Sequence, residues 1–361
     1  MTVKQTKTSP QLSLILEQPP QHIAARPLIL TRSRVVTTEV FDTYWRFAAE
    51  RQRIFFRKAA GIQPPWTSDP ILLRYRFTNA YRAADRVSQF LLRRVQAEGP
   101  QDARSLFFRT ILFKLFNRTE TWIFLESKSG PLLPENYTCS SYDGALSEAM
   151  AAGRRIYSGA YIMPSGGIEG QRKHAAHLKL LESMMKDDLP MRIAEAESMQ
   201  KAFHLMRGYP MIGDFLAYQY VTDLNYSDLL HFSEMEFVMP GPGARSGIRK
   251  CFADYGSYSE SDLIRWMADH QEEEFAKRGI EFPSLWGRPL QLIDCQNLFC
   301  EVDKYARVYH PEVAGLSGRA RIKQEYRLNA EPVDYWFPPK WGLNENVASW
   351  SASQHRLTRS A

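Results

Sequence analysis

One stretch limits this chain more than any other: Val238-Met239-Pro240-Gly241-Pro242-Gly243-Ala244-Arg245-Ser246-Gly247-Ile248, set between two apolar segments that read as helices. Gly241 and Gly243 can take positive φ and put no side chain in the way. Pro242 fixes its own φ and has no N–H to lose. A turn of this kind, opening at once into a helix, points bare backbone N–H groups outward. Together with the helix N-terminus they form a small anion site, for which a DNA phosphate is a natural occupant. The plain alternative is a glycine–proline loop between two helices, because Gly-x-Gly alone is a weak signal.

Charge agrees with a polyanion partner without requiring one. The 46 Lys+Arg against 40 Asp+Glu give a net charge of +6, which a basic solvated surface would also produce. The 361 residues allow one large or two ordinary domains. Four cysteines in such a length do not make a disulfide framework, and Cys295 and Cys300 lack histidines at ligand spacing. No metal and no cofactor is therefore implied. No apolar run reaches the ~18–20 residues of a membrane span, and Leu12 to Leu16 is too short for a signal segment. The expected place is the cytoplasm, with no membrane and no protein partner implied.

Along the chain, residues 1–25 read as a flexible arm, 26–345 as a helical body and 346–361 as a disordered basic tail. A boundary near 150–170 and a single helical body in two lobes are equally consistent. From Thr38, apolar residues recur at spacings of three and four. Leu72 to Leu91 reads as a helix start followed by a long helix, so Arg82 and Arg86 share a face, with Arg74 and Arg76 before them. Asp85 is placed to pin one guanidinium. These arginines suit DNA phosphates or surface salt bridges equally. Phe107 to Trp122 reads as one apolar helix, and His174 and His177 as surface residues. In Ile212 to Tyr226, Gln219 and Asp223 lie four apart; if their face is buried they must be hydrogen-bonded. Ser259 to Arg278 reads as one charged helix. In Gln291 to Tyr309, Asp294, Asn297 and Glu301 form an i, i+3, i+7 line, with Gln296, Asp303 and Lys304 on neighbouring faces. No long strand alternation and no internal repeat is visible.

Met239 to Gly247 resembles the hairpin of helix-hairpin-helix DNA glycosylases, Leu-Pro-Gly-Val-Gly-Arg-Lys-Thr-Ala. Downstream, Leu292 to Cys300 resembles the segment that carries their catalytic aspartate, Val-Asp-Thr-His-Val-x-Arg. Asp294 takes the aspartate position, while Gln296 replaces His and Phe299 replaces Arg. The 51 positions between Gly243 and Asp294 (294 − 243) exceed the family's gap, so an insertion around 254–290 is needed. Five blocks in order resemble the α-glutamyl/putrescinyl thymine pyrophosphorylase family, whose helical region is also attached to hydroxymethyluracil DNA kinases. They are Asn79 to Gln89, Leu112 to Asn117, Phe215 to Gln219, Pro240 to Gly243 and Gln296 to Tyr305, and the resemblance spans residues 35–340. No Gly-x-x-x-x-Gly-Lys-[Ser/Thr] occurs, so the kinase half is expected to be absent.

The resemblance implies a mostly α, two-lobed, helix-hairpin-helix glycosylase-like fold acting on modified pyrimidines in double-stranded DNA. The leading expectation is a glycosylase that flips its target base out, in the setting of anti-phage defence. Glucosylated 5-hydroxymethylcytosine of phage DNA is the base that family context suggests. Asp294 would stabilise the sugar cation, with Glu301 and Asp303 in reserve. Arg74, Arg76, Asn79, Arg82, Arg86, Gly241, Gly243, Arg245 and Lys250 would hold DNA. Tyr81, Gln219, Asp223, Gln296, Asn297 and Lys304 would line the base pocket. Arg245 stands where bifunctional members carry a lysine nucleophile, and a guanidinium has no free lone pair, so the enzyme would be monofunctional. The alternatives are an amino-acid:DNA transferase that displaces pyrophosphate from a modified thymine, and a non-catalytic DNA-binding module.

Overall fold

The glycine–proline stretch is where two helices of the core come closest. In the computed structural model, which describes residues 28–30, 33–166, 172–316, 318–329 and 333–350, Pro242 opens the helix Pro242–Cys251. Proline suits that first helical position, where an N–H has no intrahelical partner. The helix lies along a second one, Leu292–Tyr309. Neither Gly241 nor Gly243 uses positive φ: Gly241 has φ −77° and Gly243 is helical. Proximity is the reason for these glycines. A Cβ on Gly241 would stand 2.6 Å from the Phe215 ring, one on Gly243 2.3 Å from Cys300 Sγ, and one on Gly247 1.9 Å from the Phe299 carbonyl oxygen.

Gly247→Ala is therefore expected to push the two helices apart and to lower stability by about 1–3 kcal/mol, the usual cost of overpacking. Urea denaturation measures it. Gly144→Ala, in a helix with open space around it, should be neutral or stabilising. Equal losses in both variants would refute the close-packing argument.

In chain order, β1 (Leu28–Leu30) and β2 (Ser33–Thr37) lead into α1 (Glu39–Ala59). The Thr38 hydroxyl caps α1 by accepting the Val40 N–H at 3.1 Å. The three–four spacing seen from Phe41 onward becomes the buried face of α1. The helix expected over residues 72–91 is instead broken. α2 (Pro70–Arg74) stops early, residues 75–81 are irregular, Arg82–Ala84 make one tight turn, and α3 (Arg86–Phe90) widens into a π-helical turn at Leu91–Gln96. Side chains capture the backbone donors that a helix would use: Glu301 takes the Thr78 N–H, Asp85 that of Asn79, and Asp294 that of Arg82. Arg82 and Arg86 thus share no helix face.

The apolar run after Phe107 is also divided. α4 (Ala103–Phe116) ends on Asn117 in a left-handed conformation (φ +48°), and α5 (Thr119–Ser129) follows. Next come α6 (Cys139–Ala151), α7 (Lys173–Lys186), α8 (Leu189–Ala194), α9 (Met199–Arg207) and α10 (Asp214–Leu224). The Pro242–Cys251 helix is α11. β3 (Phe252–Asp254) closes a small antiparallel sheet in the order β1-β2-β3, with Leu28 opposite Val35 and Thr37 opposite Phe252. Strands this short carry no readable alternation. α12 (Glu260–Asp269) and α13 (Gln271–Lys277) occupy the long gap before α14 (Leu292–Tyr309), and they replace the single helix expected from Ser259.

α1, α11, α12 and α14 pack together, and α4 gathers α5, α7, α8 and α10 around it. One buried apolar cluster is continuous through both groups, and the fold is mostly helical. His174 and His177, expected on the surface, are buried. His174 pairs with Asp143 and Ser147, and His177 with Tyr157 and the Pro164 carbonyl. Of the tail expected to be disordered from residue 346, residues 346–350 are helical, with Trp350 packed on Phe56 and Trp286. Residues 1–25 and 351–361 lie outside the described residues. No helix among the described residues is long and apolar enough to cross a membrane.

Candidate functional site

The polar line on α14 is real, and the chain itself is its partner. Asn297 Nδ2 donates to Thr78 Oγ1 at 3.0 Å. Glu301 accepts the Thr78 N–H at 2.9 Å, and Asp294 the Arg82 N–H at 2.8 Å. This one helix face holds the irregular 78–82 segment in place. Arg82, next along, is 2% exposed. Its guanidinium forks onto Asp223 at 2.6 and 2.9 Å and donates through Nε to Gln219 at 3.0 Å. Lys114 reaches the same Asp223 at 3.1 Å and Asn117 Oδ1 at 2.8 Å, and lies 4.1 Å from the Tyr161 ring centroid.

Two cations thus share one carboxylate in the interior. Burial alone would raise the pKa of Asp223, yet Arg82 and Lys114 hold it below the usual carboxylate range. Burial lowers Lys114 to about 8; Asp223 opposes that fall and Arg82 adds to it.

Beside this cluster opens a cleft of about 1290 Å³, larger than the roughly 300–1,000 Å³ of a small-molecule pocket. Its walls come from α1 (Arg51, Phe55, Lys58), the 64–79 region, the Asp85–Leu91 turn, α4 (Phe113, Lys114), the Ser158–Tyr161 loop and residues 323–329. The last segment is joined to the wall by backbone bonds, Arg76 N–H to Gln324 O at 3.0 Å and Tyr326 N–H to Arg74 O at 2.9 Å. Seven cationic side chains line the cleft (Arg51, Lys58, Arg76, Arg86, Lys114, Lys323, Arg327) against two carboxylates, Asp85 and Glu325. Eight aromatic side chains stand among them, Trp66, Tyr161 and Tyr335 included. Asp85 is half-buried and accepts the Asn79 N–H at 2.9 Å. Burial pushes its pKa up to about 7, with Glu301 adding to the rise and the Asn79 bond and Arg51 opposing it.

Of the residues expected to hold DNA, Asn79, Arg76 and Arg86 line the cleft, and Arg74 and Arg245 are exposed. Arg82 and Lys250 are not at the surface. Lys250 is 2% exposed and donates to the Asp303 carbonyl at 3.1 Å, while Ser246 donates to the Asp303 carboxylate at 2.7 Å. Lys250 and Asp303 therefore lock α11 to α14. Asp294 sits at the third position of α14 as half of a capping box, accepting the Gln291 N–H at 3.0 Å as well as that of Arg82. Burial raises it to about 7, but it does not line the cleft.

Among the expected pocket residues, Gln219 and Asp223 anchor Arg82. Lys304 pairs with Glu301 at 2.8 Å, and Gln296 is buried near Gly241. Tyr81 is buried and bonded to Arg288 O and Leu285 N–H. Sequence reasoning did not anticipate Arg51, Lys58, Lys114 or Tyr161 in the site. Lys114 and Asn117 left one signal, polar residues inside an apolar run. Among the described residues, Glu39, His310 and Glu312 form the group whose spacing would suit a metal ion, and none of them lines the cleft.

The five blocks of residues that resemble one family therefore meet in space: the 78–82 segment, Lys114 with Asn117, Gln219, the α11 entrance and α14. The helical body they build belongs to the family described as the helical domain of 5-hmdU DNA kinase, whose model matches residues 38–315. A relative, the 5-hmdU DNA kinase of Bacillus phage SP10, is 24% identical over 322 residues, covering 83% of this chain and 50% of the relative. The chain thus spans half the length of that relative. No solved structure matches it.

Proposed function

We propose that this chain is a DNA glycosylase that takes a modified pyrimidine, flipped out of the duplex, into the cleft. One observation carries the reading: a cationic, aromatic-lined cleft with the Asp85 carboxylate in its wall. Cations bind the phosphates on either side of the extruded nucleotide, and rings stack on its base. As the bond from C1′ to the base breaks, its electron pair leaves with the base. Positive charge builds on the sugar, and an adjacent carboxylate stabilises it. Water then bonds to C1′ and gives a proton to Asp85, leaving an abasic site in an unbroken strand. The relative's name sets its action on a hydroxymethylated pyrimidine in DNA, the substrate class proposed here. Glucosylated hydroxymethylcytosine of phage DNA, and a role in anti-phage defence, remain the specific version of the proposal.

Phage DNAs carrying different modified pyrimidines are the test substrates. We expect aldehyde-reactive abasic sites on one of them, no nick without alkali and no complex trapped by borohydride. The paired cations Arg82 and Lys114 behind the cleft favour one other reading, a transferase whose leaving group is pyrophosphate. Amino-acid incorporation with pyrophosphate release, and no abasic sites on any DNA, would establish that reading and refute the glycosylase.

A further inference from the structure

Ile162 is a large apolar side chain that the fold holds in water. It is 69% exposed, whereas leaving such a side chain out of a core forgoes about 1.5–3 kcal/mol. Its neighbours are fixed. The Ser158 N–H is bonded to Phe116 O at 2.9 Å. Tyr161, at φ +53°, lines the cleft and stacks on Phe215 with centroids 5.8 Å apart and planes within 5°. Met163 is 1% exposed and accepts the Tyr220 hydroxyl on Sδ at 3.0 Å, and the Pro164 carbonyl is paired with His177 at 2.9 Å. Between these anchors Ile162 is the large apolar side chain that points outward, one residue from a cleft rich in positive charge.

We propose that Ile162 is a wedge that enters the base stack of bound DNA and fills the gap left by the extruded nucleotide. This rests on the base-flipping reading above. A wedge must be apolar to replace stacking, bulky enough to separate neighbouring base pairs, and preorganised so that entry orders little chain. Ile162 has all three properties, and the cations beside it bring the phosphates close. Leu73 and Leu328 are also exposed and line the cleft, but neither stands on a loop pinned on both sides in this way.

The test uses a duplex with one 5-hydroxymethyluracil and 2-aminopurine as its neighbour, whose fluorescence rises on unstacking. Wild-type protein should raise the signal. Ile162→Ala should cut both the rise and the affinity on the order of tenfold, Ile162→Leu should restore them, and Ile123→Ala, at an exposed isoleucine of α5 away from the cleft, should leave them unchanged. With the same base in single-stranded DNA, where no stack has to be opened, Ile162→Ala should match wild type. An unchanged rise in Ile162→Ala, or an equal loss in Ile123→Ala, would overturn the wedge. No rise with wild-type protein, on this duplex or on one carrying glucosylated 5-hydroxymethylcytosine in its place, would overturn the base-flipping reading itself, and the wedge with it.

Discussion

Asp223→Ala is expected to destabilise the protein by about 3–5 kcal/mol, the usual loss when one partner of a buried ion pair is removed. Asp223 is fully buried and is shared by Arg82 and Lys114. Without it, two cations remain in the interior with one neutral acceptor each, Gln219 Oε1 and Asn117 Oδ1. Lys114 can shed its proton, since burial already lowers it to about 8. Arg82 cannot, so most of the loss falls on Arg82. Guanidinium chloride unfolding reads the change directly. Adding Arg82→Met to Asp223→Ala should recover some of the loss, because an apolar side chain can fill the space without charge. A single-variant loss below about 1 kcal/mol, the range of exposed pairs, would show that water reaches the cluster and that the interior there is not dry. Arg82 also carries the turn that presents Asp85, so DNA processing should fall along with stability.

Much of the architecture was legible because periodicity is local. The apolar spacing after Thr38 became α1, and the polar line Asp294, Asn297, Glu301 does lie on one face of α14. Spacing tells which residues share a face, however, and not what that face meets. The line read as a catalytic surface turned out to hold the 78–82 segment, more than 200 residues away in sequence. The same long-range bonds broke the helix expected through Arg82, where local propensity alone would have continued it. The glycines at 241 and 243 were legible as places needing no side chain, whereas Gly247 was not singled out. That the need was helix contact and not positive φ became visible only with α14 beside them. Of the cleft, only Arg76, Asn79 and Arg86, and the polar Lys114 and Asn117 inside an apolar run, left a trace in the sequence, because its walls come from segments between Arg51 and Tyr335 with no common period.

Asp85→Asn is expected to reduce base excision by about 10²–10³-fold, the cost of losing one well-placed electrostatic contact to the transition state. The substitution keeps the oxygen that accepts the Asn79 N–H, so the turn and the DNA affinity should persist. What it removes is the negative charge facing the cleft. The same assignment predicts a pH profile. Burial raises Asp85 to about 7, and only the ionised carboxylate stabilises a sugar cation. Excision should therefore rise tenfold per pH unit below that value and level off above it. Asp85→Asn should abolish this rise.

Asp294 titrates in the same range, so pH alone does not separate the two carboxylates; substitution does. In Asp294→Asn the nitrogen replaces one of two acceptors, to Arg82 N–H or to Gln291 N–H, at a cost of about 1–3 kcal/mol for the unmet donor. That variant should be less stable but should retain excision per folded molecule. The reverse pattern, with Asp294→Asn folded and inactive and Asp85→Asn active, would return the catalytic role to α14. It would also require the cap of that helix to open when DNA binds.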